Sequence, residues 1–239
     1  MSEAFDQESD QVLLEAWVER GDKRAGDRLL RRHIPGLRRY FRNKVASRAD
    51  EDDLIQQVFE GLIKAMPGFR KTSTFRTFLF QVARHKLRDY FRARARKRDI
   101  VDIDDLSVAD LIPGPSTIQS RHRRQALLVE GLRALSLADQ ELLELRYWEK
   151  LTVPELVEIL EIEDPAVKSR LRRAKERLRE AMEKRAESDE ELAFVRTGEL
   201  DQWAEDVRQQ HLGRRGGAGG DEGDQQDGDS KDDKDDNQG

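Results

Sequence analysis

Residues 73–98, STFRTFLFQVARHKLRDYFRARARKR, form the stretch around which the rest of the chain is arranged. Apolar side chains recur there at steps of three and four residues, which is typical of an amphipathic helix with one buried stripe. The predicted buried stripe consists of Phe75, Phe78, Leu79, Val82, Ala83, Leu87 and Tyr90. The rim and back of the helix combine rings with arginines, at Arg76, Phe80, Arg84, Arg88, Phe91 and Arg92.

Positive charge is concentrated in the second half of this helix. From Arg84 to Arg98 there are eight lysines and arginines against one aspartate, a net charge of +7 in 15 residues. Arginines neutralise phosphates, and exposed rings stack on unpaired bases, so the combination is typical of a surface for single-stranded nucleic acid. The alternative is a solvated basic helix whose additional aromatic rings belong to the core.

Composition narrows the class of protein. The chain has 239 residues, enough for one or two domains, and 39% of them are charged, which predicts modest helical cores. It has no cysteine, which excludes disulfides and thiolate metal sites. The first residues, MSEAFDQESD, lack the pattern of a signal peptide, and no long apolar run follows. We therefore expect a cytoplasmic protein with no membrane partner.

The net charge of −5 hides an uneven distribution. Residues 216–239 carry a net charge of −7, so the rest of the chain carries +2. An acidic total therefore does not exclude a nucleic-acid partner.

Two helical segments are predicted before the organising stretch. Residues 10–46 read as helix with a break at Gly21-Asp22, and Pro35 is expected to kink or interrupt the second part. Residues 50–66 read as a clean amphipathic helix with acidic residues at its start, where the helix dipole favours them. The outward positions of that helix, such as Gln56 and Gln57, would on periodicity alone be an ordinary polar surface.

Residues 152–182 are the second informative stretch. Thr152 and Glu155 have the spacing of a capping box, and Asp164-Pro165 is predicted to start a further helix with Asp164 as its N-cap. From Lys168 to Arg179 seven basic residues stand against one acidic residue. A short helix, a tight turn and a long basic helix are typical of a helix-turn-helix, whose second helix enters a major groove. A plain helical hairpin is the alternative.

Three blocks of sequence together resemble the bacterial RNA polymerase sigma factors, and more narrowly the extracytoplasmic-function (ECF) group, which keeps only sigma domains 2 and 4. The blocks are DEDDLIQQVF at 50–59, FRKTSTFRTFLFQVAR at 69–84, and LTVPELVEIL with VKSRLRRAKERL within 151–178. Their order and spacing agree with that group over about 180 residues of this chain.

The resemblance implies an all-α fold of two small helical domains. We expect sigma domain 2 at 1–98, an acidic linker at 99–118, and a helix-turn-helix sigma domain 4 at 119–184. Outside that pattern, apolar spacing and composition predict a helical extension at 185–212 and a disordered acidic tail at 213–239. The linker is expected because residues 99–118 hold five aspartates, no basic residue and a Pro-Gly-Pro cluster.

The resemblance also implies roles for individual residues. The polymerase would be bound by Asp53, Leu54, Gln56, Gln57 and Phe59, of which Leu54 and Phe59 look buried. The single strand of the −10 element would be bound by Phe69, Lys71, Thr72, Ser73, Thr74, Arg76, Phe80, Gln81, Arg84, His85, Arg88 and Arg92. The duplex −35 element would be read by Pro165, Ala166, Lys168, Ser169, Arg172 and Arg173.

Some positions depart from the family pattern. Phe78 stands where Trp is frequent, His85 where some members have Asn, and Val157 where Ala is usual. Glu161 stands at a turn position that is usually Gly, where a left-handed backbone would be strained by about 1 kcal/mol.

By this reading the chain binds core RNA polymerase and directs promoter recognition and melting. The alternative is a free-standing helix-turn-helix regulator, which would leave residues 73–98 without a role. We expect no catalysis, cofactor or metal, because His33, His85, His122 and His211 lack metal-ligand spacing and no phosphate-loop or nucleophile motif occurs. An anti-sigma factor is a further partner that the resemblance implies.

Overall fold

In the computed structural model the described residues are 8–66, 69, 73–96, 103, 105–112, 123–198, 200, 202 and 203. Within these ranges the chain is helical, and strand-like pairing is limited to an isolated bridge between Ser107 and Ser136. The helices are α1 (Asp10–Arg20), α2 (Lys23–Arg42), α3 (Arg48–Ala65), α4 (Phe75–Arg96), α5 (Val108–Leu111), α6 (Arg123–Arg133), α7 (Leu137–Leu143), α8 (Val153–Leu160), α9 (Asp164–Glu183) and α10 (Asp189–Thr197). A π-helical turn, Glu144–Trp148, follows α7. The all-α prediction is confirmed.

Helices α1 to α4 form the N-terminal unit. The predicted break at Gly21-Asp22 is confirmed: Gly21 ends α1 with a left-handed φ of 67°, and Asp22 caps α2 by accepting from the backbone N–H of Arg24 and Ala25. Pro35 was expected to kink or interrupt the second helix, but α2 continues through it without a break. Buried side chains on both sides of it, such as Leu29 and Leu37, hold the helix together despite the lost hydrogen bond.

Helices α6 to α10, with the π-helical turn, form the C-terminal unit. Ser136 caps α7, and Thr152 and Glu155 form the predicted capping box at the start of α8. Asp164 is the first residue of α9 rather than its cap, a place taken by Glu163. Helix α10 packs against α9, so this part of the extension lies on the unit that precedes it.

The chain between the two units is more ordered in places than a plain acidic linker. Ser107 and Asp110 form a capping box that starts the short helix α5, which was not expected from the sequence. Val108, Leu111 and Ile112 are buried, and α5 contacts α4. Burial of these three apolar side chains provides the physical reason for the difference.

The two units are packed against each other and share one continuous apolar core. Helix α4 of the N-terminal unit contacts α8 of the C-terminal unit, so α4 is covered on more sides than its single apolar stripe predicts. Among the described residues, no helix is long and apolar enough to span a lipid bilayer.

Candidate nucleic-acid and polymerase interfaces

The residues expected to read duplex DNA lie together on the exposed face of α9. Val167, Leu171 and Ala174 turn into the core, which leaves the opposite side of the helix in solvent. Lys168 forms an ion pair with Asp164, with 2.5 Å between the side-chain nitrogen and the carboxylate oxygen. Arg172 forms one with Glu176 at 3.3 Å, and each partner lies one turn away along α9. All six predicted residues are exposed: Pro165, Ala166, Lys168, Ser169, Arg172 and Arg173.

The turn before α9 fixes how that helix leaves α8. Glu161 ends α8 with φ 58° and ψ 39°, the left-handed conformation that the sequence analysis considered for this position. Its carboxylate lies 3.8 Å from Nε2 of His85 on α4. The turn is therefore in contact with the N-terminal unit as well as with the helix-turn-helix.

Helix α3 presents the residues expected to bind the polymerase. Asp53, Gln56 and Gln57 are exposed, whereas Leu54 is buried and Phe59 is half-buried, as periodicity predicts. Ile63 fits the apolar spacing of residues 50–66, which predicts that it is buried, but it is 55% exposed. An apolar side chain on the surface of α3 was therefore not predicted. A large exposed apolar residue beside polar ones is typical of a protein–protein contact.

The residues expected to bind the −10 strand are not brought to one open surface. Lys71 and Thr72 lie outside the described residues. Thr74, His85 and Arg92 are exposed, and Phe69, Ser73, Arg76, Gln81 and Arg84 are half-buried. Phe80 and Arg88 are buried.

The expectation of exposed rings on the outer side of α4 is wrong for this arrangement. Phe80 is 1% exposed and Phe91 is 0% exposed. The Phe80 ring packs edge-on against Tyr40, with centroids 5.7 Å apart. Tyr40 belongs to α2, and α4 contacts α1, α2, α3, α5 and α8, a set of neighbours that no periodicity within α4 can indicate.

Glu141 of α7 is the first of three buried carboxylates that face the N-terminal unit. It is 0% exposed and accepts a hydrogen bond of 2.7 Å from the hydroxyl of Tyr40. Arg88 donates to it at 3.4 Å, and Nε of Arg84 lies 3.5 Å away. Burial, together with the charge of Glu141, raises the pKa of Tyr40 well above its ordinary value.

Glu149 follows the π-helical turn and is equally enclosed. Arg39 donates to both of its carboxylate oxygens, at 2.9 and 3.1 Å, and Arg76 donates to Oε2 at 3.0 Å. A bidentate guanidinium–carboxylate pair of this kind combines charge with defined orientation. Arg76 also donates to the backbone carbonyl of Glu149.

Glu144 completes the set, which we call the carboxylate cluster (Glu141, Glu144 and Glu149). It forms an ion pair with Lys44, whose side chain is fully buried. Burial raises the pKa of Glu144, and the charge of Lys44 opposes that rise. This cluster was not predicted, although the acidic residues interspersed among the leucines of 141–149 are a signal that could have indicated it.

Two families match separate parts of the chain, Sigma-70 region 2 over residues 29–97 and Sigma-70 region 4 over residues 125–178. The RNA polymerase sigma factor NccH of Alcaligenes xylosoxydans xylosoxydans is 30% identical over 158 residues, which are 65% of this chain and 85% of that protein. The ECF RNA polymerase sigma-E factor of Escherichia coli (strain K12) is 27% identical over 179 residues, 72% of this chain and 93% of that protein.

Two solved structures have a similar fold. CnrH in complex with the cytosolic domain of CnrY gives a TM-score of 0.56 at 23% identity, covering 75% of this chain and all of that one. The sigma factor RpoE in complex with the anti-sigma factor NepR, from Bartonella quintana, gives 0.52 at 20% identity, covering 66% and 96%. The family expected from the three sequence blocks is confirmed. The chain belongs to the ECF group of bacterial RNA polymerase sigma factors.

Proposed function

We propose that this sigma factor binds core RNA polymerase through the exposed side of α3 and reads the −35 element through α9. It contacts the non-template strand of the −10 element through α4 and the residues before it. In this proposal the N-terminal unit lies within sigma domain 2 (residues 1–98), and α6 to α9 lie within sigma domain 4 (residues 119–184). The protein acts in the cytoplasm and has no catalytic activity or cofactor of its own.

The single observation that carries the −35 assignment is the exposure of all six predicted residues along one face of α9. A buried apolar face opposite them anchors the helix, so the basic side chains face solvent, where they can enter a major groove. A free-standing regulator would need only this helix. The match of residues 29–97 to Sigma-70 region 2 favours the sigma-factor reading instead.

An anti-sigma factor is part of the proposal as a partner. It is supported by the solved structure of RpoE, which contains the anti-sigma factor NepR, and by this chain's similarity in fold to that protein.

Replacing Arg172 with Gln tests the −35 assignment. A bidentate contact from an arginine to a base contributes about 1–3 kcal/mol of discrimination, so we expect promoter-directed run-off transcription with core polymerase to fall about 5- to 150-fold. The matched control is Arg31→Gln, because Arg31 is an exposed arginine on α2 that, like Arg172, pairs with a carboxylate one turn away on its own helix and is not among the proposed DNA- or polymerase-binding residues. Unchanged transcription with R172Q would show that α9 is not the reading helix.

A further inference from the structure

We propose that a row of arginines on one flank of α9 binds the phosphate backbone of the promoter duplex beside the −35 element. The row consists of Arg170, Arg173 and Arg177, and we call it the phosphate edge. Arg173 is among the residues expected to read the element, whereas Arg170 and Arg177 are not. The inference rests on the proposed function for the identity of the duplex, and it adds contacts that hold α9 in the groove without reading bases.

The basic residues of α9 fall on two stripes of the helix. One stripe holds residues three and four positions apart, Arg170, Arg173 and Arg177. The other holds residues four and seven positions apart, Lys168, Arg172 and Arg179. Between the stripes lie Ser169 and Glu176, which are exposed and opposite the buried face. A helix in a major groove directs this outer side at the base edges, so its flanks face the phosphate backbones that border the groove.

The stripe of Lys168, Arg172 and Arg179 is paired with groups of the protein itself. Lys168 and Arg172 each form an ion pair with a carboxylate one turn away. Arg179 donates to the backbone carbonyl of Gly198 at 3.4 Å. Trp203 of the extension borders the same flank, beside Arg172 and Arg179. At Arg179 this flank of α9 is therefore taken up by the extension.

The phosphate edge, in contrast, borders a cleft of about 740 Å³ between α9 and the first turn of α7. Five basic and three acidic side chains line this cleft, an excess of positive charge that attracts an anion. Within the part of the chain that the structure describes, Arg170 and Arg173 form no ion pair or hydrogen bond through their side chains. Their guanidinium groups are thus available to phosphate oxygens, which are strong acceptors for arginine.

Asp139, in the first turn of α7, positions the third arginine of the phosphate edge. Its carboxylate is buried and accepts a hydrogen bond of 2.7 Å from Nε of Arg177. Among the described residues this is the hydrogen bond that the Arg177 side chain makes, and it uses Nε alone. The side chain is 45% exposed. A planar guanidinium held at Nε can present both terminal nitrogens to a phosphate in a fixed orientation.

The length of the phosphate edge fits the spacing of a single DNA strand. From Arg170 to Arg177 the helix rises about 10 Å. Phosphates of one strand follow each other about every 3.4 Å along the duplex axis, so three arginines within that length can each contact a separate phosphate. Contacts of this kind fix the register and orientation of α9, while base edges supply the sequence preference.

The salt dependence of DNA binding tests the phosphate edge. Holoenzyme assembled from core polymerase and the full-length chain is titrated with a fluorescent duplex over a series of KCl concentrations. The duplex carries a −35 sequence that the wild-type holoenzyme has selected from a random pool. Because each phosphate contact contributes about 0.9 to the slope of log K against log[KCl], we expect Arg170→Gln and Arg177→Gln each to lower that slope by about 0.9. Arg179→Gln removes the same charge from the other flank of α9 and, as the matched control, should leave the slope unchanged.

Sequence preference separates a phosphate contact from base reading. Over single-base variants of the selected −35 sequence, we expect R170Q and R177Q to keep the wild-type order of affinities, which also shows that the helix-turn-helix remains folded. Arg172→Gln should change that order. Arg177→Lys, which keeps the charge, should recover most of the slope lost in R177Q.

Neutral linkages in the DNA locate the contacts. Single phosphates that border the element are replaced with methylphosphonates, which removes one negative charge at a time. For the wild-type holoenzyme we expect a run of adjacent linkages on one strand at which affinity falls by about 3-fold or more. R177Q should abolish the loss at one of these linkages and leave the loss at the others, because the charge that the linkage would remove no longer has a partner.

The outcomes distinguish this inference from the proposed function. Unchanged slopes in both R170Q and R177Q, or the same methylphosphonate profile in R177Q and the wild type, would overturn the phosphate edge while the −35 preference stood. If the wild-type holoenzyme selected no −35 sequence from the pool, the proposed function would be at fault. A slope that still fell with R170Q and R177Q on a random duplex would then support the phosphate edge as a contact to DNA of any sequence.

Discussion

Glu161 shows how much of a local conformation depends on a single residue. It adopts a left-handed backbone that glycine adopts without strain and that costs other residues of order 1 kcal/mol. Its side chain is mostly in solvent and lies 3.8 Å from His85, a surface ion contact that contributes little to stability. The strain at Glu161 is therefore not offset by its own contact, and the buried residues of α8 and α9 must hold the turn in place.

Replacing Glu161 with Gly should relieve this strain. We expect the free energy of unfolding to rise by about 1 kcal/mol, measured by urea denaturation. Glu163→Gly provides the control, because Glu163 has an extended backbone with φ −70° and gains nothing from glycine. A loss of stability in E161G would mean that the side chain contributes more than the backbone costs.

The carboxylate cluster also shows the limit of prediction at the residue scale. Glu141, Glu144 and Glu149 would each be assigned to solvent by residue type, since such groups are rarely buried without a partner. Their partners are far along the chain: Tyr40 for Glu141, Lys44 for Glu144. Residues about 100 positions apart in sequence produce no local pattern when they pair. The sequence therefore could not indicate which residues would pair with these carboxylates.

At the scale of the element, helices with one buried side were predictable and α4 was not. The spacing of apolar residues in α3 and α9 predicts their buried faces, and α9 exposes the residues expected to read DNA. On the side of α4 that the pattern assigns to an open surface, Phe80 and Arg88 are buried, and Arg76 and Arg84 are half-buried. These residue types are consistent with an anion-binding face, and the anions that contact it are carboxylates of the protein itself, those of Glu141 and Glu149.

The extension beyond α9 is an element whose location the sequence left open. Val195 is fully buried and Trp203 is 3% exposed. Trp203 also stacks with Phe194 at a centroid distance of 5.3 Å, and Arg124 of α6 lies over the Phe194 ring. The described part of the extension therefore braces α6 against α9 and belongs to the C-terminal unit.

Removing the Trp203 side chain tests this bracing. Trp203→Ala should lower the free energy of unfolding by about 3 kcal/mol, as truncations of large buried aromatic residues do. Urea denaturation measures the loss, and Gln202→Ala, at an exposed neighbouring position, serves as the comparison. If W203A matched Q202A, the extension would not contribute to the stability of the unit.

At the scale of the whole molecule, the fold class and family could be predicted because each unit carries its own local patterns. The relation between the units could not, since it depends on surfaces that each unit would expose if it stood alone. The helix-turn-helix, its capping box and the break at Gly21 were all indicated by short-range signals. The contact between the units consists of pairs far apart in sequence, such as Tyr40 with Glu141 and Lys44 with Glu144. Helix α5 forms within a segment whose composition predicted only a linker.

The acidic tail, residues 216–239, should influence how the whole chain meets DNA. Removing its net charge of −7 leaves a chain of net +2. We expect a several-fold gain in affinity for a duplex without promoter elements at low salt, which disappears as salt screens the charge. Fluorescence anisotropy measures the affinity, and a neutral tail of equal length provides the control. No gain with either variant would show that the tail does not repel DNA.

Arg133 joins three parts of the chain through one buried guanidinium. It donates to the carbonyl of Asn43 at 2.9 Å and to that of Ile112 at 2.7 Å, while its own backbone ends α6. One buried side chain therefore fastens the ends of α2, α5 and α6 at a single junction. Both backbone carbonyls would lose their donor together if this guanidinium were removed.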